Sequence, residues 1–213
     1  MARRRPAAPG TRPRILAAAA AEFGARGFAA TSVDRIARRA RVNTAMIYYH
    51  FPDKRALYTT IVREIYAAIA GQLRAIAAEP SPLDLKLDRL IETLVHSVDD
   101  STYFLPIFLR EIADGAVHLG PEELALIASI FATVSGVIIE GGNRGVFQPV
   151  HPVLAHFTLI GPLVMFRATT PVRARIKSVR HVDIPEVDSA TLVRHLQMVA
   201  RRMLAPRELI ADS

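Results

Sequence analysis

The segment from Thr31 to Leu57, TSVDRIARRARVNTAMIYYHFPDKRAL, constrains the fold of this chain more than any other. Apolar residues in its first part recur at i, i+3, i+4 and i+7, the spacing of one helix face, at Val33, Ile36, Ala37 and Ala40. Thr31 is the predicted N-cap of this short helix. The helical pattern breaks at Arg41-Val42-Asn43, and a second short helix follows from Thr44 to His50. Two short helices joined by a tight turn predict a helix-turn-helix, whose second helix usually enters the major groove of DNA.

This segment resembles the helix-turn-helix of the TetR family of bacterial transcriptional regulators. The matching residues are Ile36-Ala37, Ala40-Arg41-Val42-Asn43, Ile47-Tyr48-Tyr49-His50-Phe51, Lys54 and Leu57. Three positions depart from the family pattern: Arg41 replaces the usual turn glycine, Asn43 replaces a serine, and Ala45 is the small residue inside the recognition helix. Glycine adopts positive φ at little cost and arginine does not. Arg41 is therefore either a phosphate contact or an accommodated deviation in the turn.

Helical periodicity continues through the remainder of the chain, and no stretch shows the sustained alternation of a strand, so we predict an all-α fold. The first predicted helix begins near Thr11 and ends near Gly27. The two short helices follow, and after them a long helix from Leu57 to Ile76. Five more are predicted at Leu85–Val98, Tyr103–Ala113, Glu122–Arg144, Val153–Ala168 and Ser189–Leu204. Thr169 to Val187 is predicted to be an irregular loop.

The resemblance divides the chain into three parts. Residues 1–10 form a flexible basic arm, residues 11–56 an N-terminal three-helix DNA-binding domain, and residues 57–213 an α-helical ligand-binding and dimerisation domain. The charge distribution agrees with this division: residues 1–60 contain 12 lysines and arginines against 3 acidic residues, and the rest contains 15 against 17. A basic surface of this kind binds the phosphate backbone by releasing its counterions. A solvated basic tail is the alternative for Arg3 to Arg5.

The residues expected to contact double-stranded DNA follow from this alignment and from groove chemistry. Thr44, Ala45 and Met46, at the start of the recognition helix, are expected to contact base edges. The others are expected to contact phosphates or to cap the recognition helix, and they are Thr31, Arg38, Arg41, Asn43, Tyr48, Tyr49, His50 and Lys54. For Tyr48, packing in the core is an equally good interpretation.

The resemblance also implies a homodimer and a small-molecule effector. Helices Val153–Ala168 and Ser189–Leu204 would pair with their copies in a second subunit and present two recognition helices to a palindromic operator. Burial of these helices inside one subunit is the alternative. The predicted ligand is small and apolar, and its candidate pocket residues are Leu94, Val98, Tyr103, Phe104, Ile107, Phe108, Phe131, Val134 and Phe166. An apolar stripe of this kind is more often plain core.

Other classes of function find little support in the sequence. We see no catalytic constellation, no cofactor motif and no histidine pair at i, i+4 for a metal. The apolar runs from Leu124 to Ile139 and from Val153 to Phe166 are shorter than a membrane span needs. We expect no signal peptide, and a cysteine-free chain is compatible with the cytoplasm. The predicted function is a repressor released by a small molecule; the alternatives are a non-inducible DNA-binding or architectural protein, or an activator.

Overall fold

A computed structural model describes residues 10–180 and 183–206 of the chain, and within these ranges it contains ten α-helices and no strand. The helices are α1 Thr11–Ala30, α2 Val33–Ala40, α3 Thr44–His50, α4 Lys54–Ala78, α5 Leu83–Asp100, α6 Phe104–Ala113, α7 Pro121–Asn143, α8 Pro152–Ala168, α9 Thr170–Arg180 and α10 Ser189–Leu204. The prediction of an all-α fold is confirmed. The predicted arm lies almost wholly outside the described residues.

The first three helices and the start of α4 enclose one apolar core. Side chains from each of the four elements are almost fully buried there, including Ile15, Phe23, Ile36, Ile47 and Leu57. α1 is continuous up to Gly27, which takes φ 80° and bends the chain before its last turn. The predicted end of the first helix near Gly27 therefore corresponds to a kink rather than to the final residue.

The N-cap of α2 was predicted one residue too early. The hydroxyl of Ser32 accepts a hydrogen bond from the backbone N–H of Arg35, which is the bond that defines an N-cap. Thr31 instead terminates α1, and its backbone N–H donates to the carbonyl of Phe28. Serine and threonine both suit the cap position, so the sequence pattern did not distinguish the two neighbours.

The long helix α4 connects the amino-terminal core to the rest of the molecule. Asp53 caps it by accepting a hydrogen bond from the N–H of Ala56. Its buried residues extend from Leu57 and Tyr58 at one end to Leu73 and Ile76 at the other. α4 packs against α1 in the amino-terminal core and against α5 and α7 in a second core, so it belongs to both.

Two features of the carboxyl-terminal helices differ from expectation. Thr169 to Val187 is not an irregular loop, because α9 occupies Thr170–Arg180. Pro171 lies in the first turn of α9, where the missing N–H costs nothing. The apolar residues of α9 (Val172, Ile176 and Val179) follow helical spacing, but all three are exposed, so no core contact reinforces the pattern.

Helix α7 is long and apolar enough, by length and composition, to cross a membrane, and the bent pair of α8 and α9 passes the same test together. The expectation that no apolar segment is long enough is therefore wrong for α7. Only 28% of the apolar window of α7 is buried, and the buried part, which includes Val134, Val137 and Ile138, packs against neighbouring helices. The buried carboxylate of Glu123 also pairs with Arg63 of α4 at 2.9 Å. We interpret α7 as the central helix of the second core.

Candidate functional site

The turn between α2 and α3 has the geometry of a glycine turn although it contains arginine. Arg41 adopts the left-handed conformation, with φ 54° and ψ 48°. The N–H of Val42 donates to the carbonyl of Ala37 at 3.0 Å, which satisfies the end of α2. The guanidinium of Arg14, on α1, donates to the carbonyls of Ala40 at 2.6 Å and Arg41 at 3.1 Å. The turn thus accommodates Arg41 in a conformation that favours glycine, and the hydrogen bonds from Arg14 stabilise the turn.

The recognition helix α3 is short, capped at its start and open to solvent on one side. The side-chain carbonyl of Asn43 accepts from the N–H of Met46 at 2.9 Å, so Asn43 is the N-cap. Ala45 is exposed and Thr44 and Met46 are half-buried, while Ile47 holds the helix in the core. The three residues predicted to contact bases therefore lie together at the free end of α3.

The two tyrosines of α3 are surface residues. Tyr48 is 53% exposed and Tyr49 is 81% exposed, so packing in the core is not the role of Tyr48. The ring of His50 packs edge-on against the ring of Tyr49, with centroids 5.1 Å apart. This exposed face carries two phenol hydroxyls, which are groups that can hydrogen-bond to phosphates.

Thr31 and Lys54 are placed differently from the prediction that they contact phosphates. Thr31 is only 2% exposed, and its hydroxyl donates within the domain to the carbonyls of Glu22 and Gly27. The ammonium of Lys54 donates to the carbonyls of Phe28 at 2.9 Å and Thr31 at 3.0 Å. It also lies 4.3 Å from the centre of the Phe28 ring. Both polar groups connect the end of α1 to the rest of the domain, because they satisfy or cover its terminal carbonyls.

The basic residues of α2 and of the turn that follows it fall into two groups. Arg35 and Arg39 lie within 3.9 and 3.1 Å of the buried carboxylate of Glu22 on α1. Arg38 and Arg41 are exposed and form no ion pair within the described part of the chain. The first pair therefore has a structural role, and contact of the second pair with phosphates stays a prediction. The arginines of the predicted arm, Arg3 to Arg5, lie outside the described residues.

The second candidate site is a cavity of about 410 Å³ enclosed by α4 to α8. This volume falls in the range of pockets that bind small molecules. Its wall is almost entirely apolar, and the lining residues are Tyr66, Ile69, Leu94, Ser97, Val98, Phe104, Phe108, Ile112, Ile127, Ala128, Ile130, Phe131, His156, Phe157, Ile160, Leu163 and Val164. Ile112, Ala128 and Phe157 are exposed, so the cavity reaches the surface between α6, α7 and α8.

Five of the nine predicted pocket residues line this cavity: Leu94, Val98, Phe104, Phe108 and Phe131. The other four do not. Tyr103 packs beside Gly24 of α1, and Ile107 and Val134 are buried in the core. Phe166 lies under the guanidinium of Arg173, 4.0 Å from its ring centre, in a surface groove beside α9. Ile107, Val134 and Phe166 lie on helices that line the cavity and Tyr103 is the N-cap of α6, but none of the four side chains lines the cavity.

Sequence reasoning missed the contributions of α4 and α8. On α8, His156, Ile160, Leu163 and Val164 recur at helical spacing and face the cavity. That spacing is visible in the sequence. His156 is 8% exposed, and burial lowers the pKa of its imidazole below the ordinary value. Its Nδ1 has no hydrogen-bond partner among the described residues.

A buried polar cluster lies between the amino-terminal core and the cavity. The hydroxyl of Tyr58 on α4 donates to Oε1 of Glu111 on α6 at 2.5 Å, and Nδ1 of His118 lies 3.0 Å from the same oxygen. Tyr58 packs edge-on against Phe23 and Phe28 of α1. Burial, and then the carboxylate of Glu111, raise the pKa of the Tyr58 phenol above its usual range. The hydrogen bond between Tyr58 and Glu111 therefore connects α4 with α6, and the aromatic contacts of Tyr58 connect both to α1.

The outer surface of α8 is unusually apolar. Leu154, Phe157 and Met165 are each more than 60% exposed, whereas Leu159 and Leu163 are buried in the subunit. On α10, Leu192 and Leu196 are likewise buried, against α5 and α8. α10 thus has less free apolar surface than the sequence led us to expect, and its exposed face is largely polar apart from Met198.

Residues 15–61 match the family model described as bacterial regulatory proteins, tetR family. The chain is 27% identical over 179 residues to the HTH-type transcriptional repressor SCO4008 of Streptomyces coelicolor, an alignment that covers 83% of this chain and 86% of the relative. Among solved structures, the putative transcriptional regulator SCO4942 of Streptomyces coelicolor is 27% identical, with a TM-score of 0.65, and the match covers 92% of this chain and 99% of that one.

A further solved structure shares the fold at lower identity. It is the transcriptional regulator FadR of Bacillus subtilis in complex with stearoyl-CoA, which is 16% identical with a TM-score of 0.71 over 90% of this chain and 98% of that chain. The matched helix-turn-helix and the all-helical fold of the described residues support the same class of protein as the names of these relatives. The chain is a DNA-binding transcriptional regulator whose residues 15–61 form a helix-turn-helix domain of the TetR family.

Proposed function

We propose that this protein is a cytoplasmic, dimeric repressor that leaves its operator when a small molecule enters the cavity. The observation that carries the ligand-dependent part of this proposal is that one helix belongs to both sites. α4 begins at Lys54, whose ammonium contacts the end of α1, and it lines the cavity with Tyr66 and Ile69. Lys54 and Tyr66 are twelve positions apart in the sequence, which corresponds to about 18 Å of rigid helix.

DNA binding would use the free end of α3 for sequence and the surrounding surface for phosphates. Thr44 and Met46 are within reach of base edges, since they begin the recognition helix beside exposed Ala45. Tyr49, Arg38 and Arg41 flank them on the exposed surface and carry phosphate-binding groups. This division predicts which substitutions change sequence preference and which change only affinity.

Dimerisation would cover the apolar face of α8. Leu154, Phe157 and Met165 form an exposed stripe of large apolar side chains that solvent would otherwise meet. The mostly polar outer face of α10 would border this contact rather than form its centre. A twofold pair of subunits would place two copies of α3 about one DNA turn apart, ~34–36 Å for adjacent half-sites.

Ligand binding would act through a difference in affinity between two arrangements of the subunits. A ligand shifts such an equilibrium only by binding one arrangement more tightly. α6 supplies the second connection, because Phe104, Phe108 and Ile112 line the cavity while Glu111 contacts Tyr58 from the same helix. Movement of α6 or α4 on ligand binding would change the spacing of the recognition helices.

The proposal is tested by selecting bound sequences from a random DNA library and measuring affinity for the selected site by fluorescence anisotropy at several salt concentrations. Thr44→Ala and Met46→Ala should change the selected sequence, while Arg38→Ala and Tyr49→Ala should weaken binding to all sequences. Arg144→Ala, at the exposed end of α7, is the matched control for loss of a positive charge. Unchanged DNA binding in all four variants would contradict the assignment of α3.

The ligand-dependent part needs a separate measurement with the selected operator. Release of DNA is measured while a panel of small apolar compounds, with stearoyl-CoA included, is titrated into the complex. A compound that releases DNA from the wild type should fail to do so when Ile160→Trp fills the cavity. Release that persists in this variant would place the effector elsewhere, and no release by any compound would favour a non-inducible regulator.

The dimer is tested by analytical sedimentation of the Phe157→Glu variant. This variant should be monomeric if the α8 face is the interface.

A further inference from the structure

The cavity contains few polar atoms, and their identity restricts what can bind there. Of the seventeen lining residues, only Tyr66, Ser97 and His156 carry polar side-chain atoms. The hydroxyl of Ser97 already donates to the carbonyl of Thr93 at 2.7 Å. No lysine, arginine, aspartate or glutamate lines the cavity. A ligand with an ionised group would therefore lose hydration in this cavity without gaining a countercharge.

His156 is the polar group with an unmet requirement. It lies on the cavity wall and is 92% buried, because 8% of its surface is exposed. Its ring is held edge-on between Phe131, at 4.9 Å between centroids, and Phe157, at 5.6 Å. Nδ1 has no partner among the residues described. A buried nitrogen without a hydrogen bond is rare and costly, and a ligand that supplied one would remove the cost.

The charge state of His156 restricts the ligand further. Burial lowers the pKa of the imidazole, so the ring is neutral near pH 7. A neutral imidazole has one nitrogen that donates and one that accepts, and it therefore suits a hydroxyl or a carbonyl group. The surrounding rings of Phe104, Phe108, Phe131 and Phe157 offer apolar faces to the remainder of such a molecule.

We propose that His156 is the hydrogen-bonding partner of an uncharged effector that is apolar over most of its surface and carries a hydroxyl or carbonyl group. This inference rests on the proposed function, since it takes the cavity as the effector site. It separates this protein from a regulator that recognises an acyl-CoA through its phosphates, because the wall has no basic side chain to meet them. It also makes His156 the residue that determines specificity within an otherwise apolar wall.

The experiment compares two probes of nearly equal size, para-propylphenol and para-propyltoluene, which differ by a hydroxyl in place of a methyl group. Their affinities are measured at pH 7 by displacement of the apolar dye N-phenylnaphthylamine from the full-length protein. The wild type should bind para-propylphenol about tenfold more tightly, the value of one well-formed hydrogen bond in a dry site. His156→Leu should lose or reverse this preference, because the phenol hydroxyl would then be buried without a hydrogen bond. His156→Gln, which retains a donor and an acceptor, should recover part of it.

A preference for the phenol that survives unchanged in His156→Leu would overturn the assignment of His156 and leave the proposed function intact. Equal binding of para-propylbenzoate, which is anionic at pH 7, would overturn the restriction to uncharged ligands. Failure of the dye and of every probe to bind the wild type would overturn both this inference and the cavity as an effector site. The three failures are therefore distinguishable.

A measurement on the wild type keeps the inference testable if His156→Leu does not fold. The imidazole ¹⁵N resonances of His156 are assigned by comparison with His156→Gln and followed during addition of para-propylphenol. A shift of the His156 nitrogens that saturates with dye displacement is expected. Saturation of the cavity without any change at these nitrogens would contradict the hydrogen bond.

Discussion

Tyr58 donates a hydrogen bond of 2.5 Å to Glu111, and this contact joins the helix that begins in the DNA-binding domain to the helix that lines the cavity. Both side chains are buried, at 2% and 5% exposure. The other carboxylate oxygen of Glu111 has no partner within the described residues. A buried carboxylate with so few partners depends strongly on each of them. The pair is therefore sensitive to any relative movement of α4 and α6.

Replacing Tyr58 with phenylalanine should destabilise the protein by about 1–3 kcal/mol, because Glu111 loses a hydrogen bond that water cannot replace. The aromatic packing against Phe23 and Phe28 is retained in this variant, so the loss reports on the hydroxyl. The free energy of unfolding is measured in urea. Tyr66→Phe is the control. Tyr66 is also buried, and its hydroxyl forms no hydrogen bond with Glu111 in the part of the chain that the structure describes. An equal loss in both variants would show that the contact with Glu111 contributes nothing specific.

The left-handed conformation of Arg41 makes a second prediction. Arg41→Gly should stabilise the protein by up to about 1 kcal/mol, because glycine adopts φ near 54° without strain. The same variant should bind operator DNA more weakly, since it removes an exposed guanidinium from the proposed interface. Thermal unfolding and fluorescence anisotropy measure the two effects separately.

Ala116 supplies the matched control for Arg41, because it is the other non-glycine residue with positive φ, at 59°, in the part of the chain that the structure describes. It lies in the connection between α6 and α7, away from the recognition helix. Ala116→Gly should also stabilise the fold but leave operator affinity unchanged. Loss of DNA affinity in Ala116→Gly would mean that the effect of Arg41→Gly arises from turn stability and not from a phosphate contact.

Lys54 and Arg38 are expected to give opposite results when their charges are removed. Lys54→Met should lower the unfolding free energy by about 1–3 kcal/mol, because the carbonyls of Phe28 and Thr31 lose their buried donor. Arg38→Ala should leave stability nearly unchanged and reduce the dependence of log affinity on log salt by about one ion. Full stability of Lys54→Met combined with a lower salt slope would restore the phosphate contact that the sequence predicted.

The sequence predicted the helices that a core reinforces and failed where none does. Apolar periodicity located α4, α5, α7 and α10 to within a few residues, because each has an inner face that is buried. α9 was missed because Val172, Ile176 and Val179 are exposed and Pro171 resembled a helix breaker. Apolar periodicity in a sequence reflects which side chains are buried, so a helix that buries few side chains gives only a weak pattern.

The candidate sites were predictable at the level of helices but not at the level of side chains. Periodicity cannot separate the face of α6 that lines the cavity from the face that packs on α1, so Ile107 was included with Phe104 and Phe108. The family alignment placed Lys54 and Thr31 near DNA, but their hydrogen bonds to α1 depend on the tertiary fold. The short helix α3 and its N-cap Asn43 were predicted correctly because they follow directly from local sequence.

The buried imidazole of His156 makes stability depend on pH in a direction that the pKa shift fixes. Burial lowers the pKa of His156 in the folded state, so the unfolded chain, with an ordinary value near ~6.5, binds the proton more tightly. The neutral ring is compatible with the fold above about pH 6.5, and stability is lost as the pH falls from there through the folded pKa. The loss is at most about 1.4 kcal/mol per pH unit for this single proton.

His156→Gln should therefore lose less stability than the wild type between about pH 7 and about pH 5, measured as urea unfolding free energies. His195→Gln, an exposed histidine on α10, controls for the loss of one imidazole. If His156→Gln and the wild type lose stability in parallel, the ring is not desolvated in solution, and the neutral state on which ligand recognition depends is not enforced by burial.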